Sequence, residues 1–118
     1  MLCISMMPRI GKIENGSVQI NGSPVSDSFF LHPEGFELLE KSSKISKKDF
    51  ERASLHEPEI VVFGTGFRGK IKIDETVIAA AKKQEIDVHI LSSEAAIKKF
   101  QDYARRGKKV VAHIHIGE

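Results

Sequence analysis

Three groups of residues have the types and spacing for chemistry, and the first is the glycine loop in VVFGTGFRGKIKID, residues 61–74. Gly64, Gly66 and Gly69 read G-x-G-x-x-G, while Gly64, Gly69 and Lys70 read G-x-x-x-x-G-K, and both patterns can cradle phosphates. Neither pattern is complete. A dinucleotide loop runs straight into a helix whose free N–H groups meet the pyrophosphate. Here Lys70 to Ile73 reads as extended, and the helix opens only at Asp74, whose carboxylate caps those N–H groups and repels a phosphate. The ribose-binding acid, due about 20 residues on, is also missing, because Glu94 lies 30 residues beyond Gly64. In the second pattern Ile71 stands where a hydroxyl must ligate magnesium. The loop is therefore expected to bind nucleotide by neither motif, and Gly64 and Gly66 to supply φ angles or close approach that only glycine allows.

The same glycines still sit where ligands gather in parallel sheets, beyond the carboxyl ends of the strands. Gly64, Thr65 and Gly66 are expected beside Ser92 and Ser93, and with Arg68 they would form a small polar cleft for a carboxylate or other small anion. The other reading gives these hydroxyls to helix caps and turns. The second group is histidine. His113 and His115 share a strand face, and His89 from a neighbouring strand could join them on a metal. Glu118 is the nearest carboxylate in sequence, and paired histidines near a terminus are expected half-exposed, so no metal is assigned. The third group is the basic cluster Lys98, Lys99, Arg105, Arg106, Lys108 and Lys109. It lacks an interleaved aromatic platform, since Phe100 and Tyr103 fall inward or at the margin, and it reads as a solvated helix face. No nucleophile and base can be paired, and G-x-S-x-G is absent, so no catalytic residue and no cofactor are assigned.

The elements that must position these groups change style partway along the chain. PRIGKIENGSVQING reads as a hairpin over residues 10–20 turning at Asn15-Gly16. Asn21-Gly22 and Ser23-Pro24 bend the chain again, and SFFLHP is a third short strand closed by Pro33. FELLEKSS leans to strand, and Ser46 to Asp49 resembles a capping box opening a helix of about two turns before Glu57-Pro58. From Glu59 the pattern is β-α-β-α-β. EIVVFG and IDVHILSS read as buried strands, DETVIAAAKKQ as a helix capped by Asp74, and KKVVAHIHI as the last strand. Between them EAAIKKFQDYARRG reads as a helix with Ala96, Phe100 and Ala104 on one stripe and Gly107 beyond its basic last turn.

Composition sets the class. A chain of 118 residues, 41% hydrophobic and 29% charged, suits a single globular domain spanning 1–118, and no apolar run is long enough for a membrane helix. The start MLCISMMPRI has neither the basic segment nor the cleavage signature of a signal peptide, so the cytoplasm is the expectation. Cys3, the single cysteine, is read as a free thiol. A net charge of +2 gives no case for nucleic acid, and the many Lys and Ile residues with no Trp suit a thermophile.

EPEIVVFGTG followed by an apolar helix and strand, and then SSEAAIKKFQDYARRGKKVVAHIH, resembles the Mth938-like family. The resemblance implies a three-layer α/β fold with a central mixed, mostly parallel sheet, helices packed on it and an N-terminal antiparallel hairpin. Its mitochondrial relatives are assembly factors for respiratory complex I. The family often carries Thr before the A-A pair and Tyr-Asn within the helix, where this chain has Ser93 and Phe100-Gln101. Ser93 keeps the hydroxyl, and Gln101 changes the amide's geometry. Two functions follow as expectations: a non-catalytic interaction or assembly module with a protein partner, or a small-molecule or anion binder, or an enzyme, using the Gly64-Thr65-Gly66/Ser93 cleft. The hairpin's unpaired edge also makes a homodimer available.

Overall fold

A computed structural model describes residues 9–14, 16–32, 35–39 and 44–116. A five-stranded sheet lies at its centre in the order β5(Gly35–Leu38), β4(Phe29–His32), β10(Val110–Ile114), β7(Ile60–Gly64), β9(Asp87–Leu91). β10 runs parallel to β7, and β7 parallel to β9, while β4 pairs antiparallel with both β10 and β5. The sheet is thus mixed, with its parallel half built by the β-α-β-α-β run. A separate antiparallel meander, β1(Ile10–Glu14), β2(Ser17–Ile20) and β3(Ser23–Val25), precedes it, and a two-strand parallel bridge joins β6(Lys44–Ile45) to β8(Lys72–Ile73).

Side chains alternate across a strand, so the run IVVFG feeds two cores at once. Ile60 and Val62, with Phe29, Leu31, Val110, Ala112 and Ile114, meet Ala96, Ile97 and Phe100 of α3(Ser93–Arg105) and Val18, Ile20 and Val25 of the meander. Val61 and Phe63, with Phe30 and Val111, meet Phe50 and Ala53 of α1(Lys47–Ser54) and Val77 and Ala81 of α2(Glu75–Lys83). The result is three layers. Phe29, Phe30, Phe50, Phe63 and Phe100 are all fully buried, each favouring the fold by about 1.5–3 kcal/mol over exposure.

Helix ends follow the chemistry of their flanking residues. The Ser46 N–H donates to the Asp49 carboxylate at 2.8 Å, as a capping box requires, and Asp74 accepts from the Thr76 N–H at 3.0 Å. α3 stops in a Schellman turn. The N–H groups of Gly107 and Lys108 donate to the carbonyls of Ala104 and Tyr103, and Gly107 takes a φ of 78° that favours glycine.

Two sequence expectations about the elements are corrected. Ser23-Pro24 is not a bend but part of β3, an edge strand where the missing proline N–H does no harm. The positive φ angles of Asn21 and Gly22 do the turning. IDVHILSS does not form a strand buried on both faces: β9 ends the sheet and Ile90 is 42% exposed. Its apolar content matches that of a central strand, so periodicity alone could not place it at the edge. Lys70 to Ile73, read as extended, does contain β8, but its pairing with β6 was not foreseen, because a two-residue strand carries no signal of its partner. The expected turn residue Asn15, Pro33, Cys3, Glu118 and the end of FELLEKSS lie outside the described residues.

Candidate functional site

At the carboxyl ends of β7 and β9, Gly64 and Gly66 lie against Ser93, and Thr65 is bonded to Leu91. Ser93, the first residue of α3, is fully buried. Its hydroxyl accepts from the Gly66 N–H at 2.9 Å and donates to the His115 carbonyl, while its own N–H donates to the Gly66 carbonyl at 2.9 Å. The Thr65 hydroxyl and N–H both donate to the Leu91 carbonyl, at 3.0 and 2.9 Å. The His115 N–H donates to the Gly64 carbonyl at 3.1 Å. One serine therefore ties together the segments leaving β7 and β10 and the start of α3 after β9.

That closeness explains the first glycine. A Cβ on Gly64 would lie 2.9 Å from Ser93 Oγ, 3.0 Å from Ser93 Cα and 3.0 Å from Ile114 Cδ1. Gly66 and Gly69 take φ of 94° and 67°, turning the chain back so that the Ile71 N–H donates to the Thr65 carbonyl at 3.0 Å. The loop then enters β8, and the next helix begins only at Glu75 with Asp74 bonded across its first N–H groups. The phosphate-binding geometry of either glycine motif is therefore not formed. Arg68 is exposed on the loop, and Ser92 is the N-cap of α3 without a side-chain capping bond.

The histidines divide between the two faces of the sheet. His89 stands opposite Val62 on the α3 side, where its Nε2 lies 3.2 Å from the Tyr103 hydroxyl. His113 stands between Phe30 and Phe63 on the side covered by α1 and α2. The three imidazoles cannot converge, and among the described residues no group of three metal-ligating side chains forms. His113 and His115 are not half-exposed as expected but each only 2% exposed, with ring centroids 5.1 Å apart. Burial pushes the His113 imidazole down to about 4, against the pull of the Asp49 carboxylate, and lowers His115 for the same first reason. Near neutral pH both rings are uncharged. The pairing was legible in sequence but its burial was not, because a strand's position within the sheet, which decides burial, is not written in the strand itself.

The basic cluster is a surface feature. Lys98 and Arg106 pair with Glu94 and Asp102 one turn away at 3.2 and 2.6 Å, and Lys99 and Arg106 lie 5.5 Å from the Tyr103 ring centre. Among the described residues no helix is long and apolar enough to cross a membrane.

A family model described as "Protein of unknown function (DUF498/DUF598)" matches residues 10–115. Solved structures agree on the fold. The conserved hypothetical protein PH1505 from Pyrococcus horikoshii OT3 has a TM-score of 0.82 at 18% identity, covering 93% of this chain and 99% of its own. An outer membrane protein from Bartonella henselae reaches 0.77 at 18% identity, with 95% and 97% covered. A Mth938-like domain from Bordetella pertussis reaches 0.74 at 13% identity, with 97% and 89% covered.

Proposed function

The chain belongs to the DUF498/DUF598 family and has the Mth938-like fold, and from that premise we propose that it is a non-catalytic interaction module that docks a protein partner within a larger assembly. The observation that carries this reading is the closed polar corner. The hydroxyls of Thr65 and Ser93, the residues best suited to grip a ligand, are bonded to backbone within the fold. The same reading is favoured by what the surface leaves open. β9 ends the five-stranded sheet, and Ile90 on it is among the exposed large hydrophobic residues with Leu38 and Leu55. An edge strand with an exposed apolar side chain suits the addition of a strand from another chain.

The test is native mass spectrometry of untagged protein purified gently from its source, repeated with Ile90→Lys and Thr65→Val. The expected result is a second polypeptide at fixed stoichiometry, lost in Ile90→Lys and kept in Thr65→Val. A stoichiometric small molecule lost in Thr65→Val or Arg68→Ala would overturn it. That outcome would instead favour a small-anion site at Gly64, Thr65, Gly66, Arg68, Ser92 and Ser93.

A further inference from the structure

Four of the five histidines form two ring pairs on one side of the molecule, and both pairs touch the placement of α1. Under the helix, His113 and His115 lie 5.1 Å apart, with His113 beside Phe63 at 5.8 Å. Just past its C-terminal end, His56 stacks on His32 at 4.7 Å and 24° and lies 5.2 Å from Phe30. Phe30 is the residue opposite His113 across the β4–β10 pair.

We propose that α1 is an acid-released cover: as imidazoles take up protons, Lys47–Ser54 lifts from the sheet while the sheet itself stays formed, uncovering Phe30, Phe63 and Val111. Three observations carry this. First, α1 is only eight residues long and buries just Phe50 and Ala53, so its attachment is weak beside that of the central strands. Second, the docked arrangement leaves His113 Nδ1 and His115 Nε2 buried with no hydrogen-bond partner among the described residues. Such groups disfavour the state that buries them, and lifting the helix lets water reach both. Third, protonating the buried pair places like charges about 5 Å apart in surroundings that screen them poorly.

The charges facing the buried pair do not cancel this. From α1, Asp49 favours the charged form of both rings and Arg52 opposes it at His113, while His115, just beyond the end of β10, also opposes it. β7 and β4 contribute Phe63 and Phe30, and α2 contributes Val77 and Ala81 to the same core, none of which titrates. At the outer pair Glu37 lies 3.8 Å from His32 Nε2. Each ring that is neutral when docked and charged when released drives release by about tenfold per pH unit between its two pKa values.

The experiment is amide hydrogen exchange of the full chain from pH 7.5 to 4.5, expressed as protection factors, with imidazole nitrogen NMR to read each ring's charge. Protection in Lys47–Ser54 is expected to fall at least about tenfold per pH unit below pH 6, while β7 and β10 keep theirs. His113 and His115 should acquire charge in step with that loss. His113→Leu should flatten the dependence. Loss of α1 and β10 protection together, charging of His113 with α1 still protected, or an unchanged profile in a folded His113→Leu would each overturn the proposal.

Discussion

Ser93 and Gly64 form one unit, and neither residue's role is separable from the other. Removing the Ser93 hydroxyl strands a buried donor, the Gly66 N–H, and deprives the His115 carbonyl of a partner. Ser93→Ala is therefore expected to cost about 1–3 kcal/mol. Thr65→Val should cost less, about 0.5–1.5 kcal/mol, because the Leu91 carbonyl keeps the Thr65 N–H. Gly64→Ala forces a methyl against Ser93 and Ile114 and should cost about 1–3 kcal/mol by overpacking. Urea titration of the three variants ranks them. A Thr65→Val loss larger than that of Ser93→Ala would show that the threonine, not the serine, joins the strand ends. The use of Thr, Gly and Ser at this corner was legible in the sequence, and so was their adjacency. Where each hydroxyl's bonds go was not, because Ser93 finds its acceptor in His115, 22 residues away just beyond β10.

At the level of elements, identical chemistry should have different consequences at different places in the sheet. Ile114 on central β10 is fully buried, whereas Ile90 on terminal β9 is 42% exposed. Ile114→Ala is expected to cost about 2–5 kcal/mol and Ile90→Ala no more than about 1 kcal/mol, measured by chemical denaturation. Equal losses would mean that β9 is covered in the protein's working state. Strands and helices with long apolar runs, capping boxes or Asn-Gly turns were readable because local chemistry dictates them. β3 and the β6–β8 bridge were not. They exist because Gln19 meets Pro24 and Ile45 meets Ile73, pairings made by neighbours rather than by the segments themselves.

For the whole molecule the buried histidine pair sets the response to acid. Above pH 6.5 the imidazoles are neutral in both folded and unfolded chains, so stability is flat with respect to them. Between about 6.5 and 4 the unfolded chain binds protons that the native His113 does not, and stability falls as pH falls. Below about 4 the His113 contribution levels off. The full loss from His113 is on the order of 3 kcal/mol, with His115 adding in the same direction. Urea stability measured from pH 8 to 4 should show this decline, and His113→Leu should lessen it. A variant as acid-sensitive as the parent would place the titrating groups elsewhere.

By itself the sequence determined that this chain is an α/β protein with an antiparallel beginning and a β-α-β-α-β end, and that its glycine loop lacks the parts of a nucleotide site. Those conclusions rest on periodicity, caps and turn residues, which act over a few positions. Tertiary structure alone decided that β10 lies at the centre and β9 at the edge, that His89 is parted from His113 and His115 by the sheet, and that Thr65 and Ser93 bond inward. Each depends on strand order, and strand order arises from which apolar faces cover one another across the whole fold, a choice that segments of similar composition cannot express one at a time.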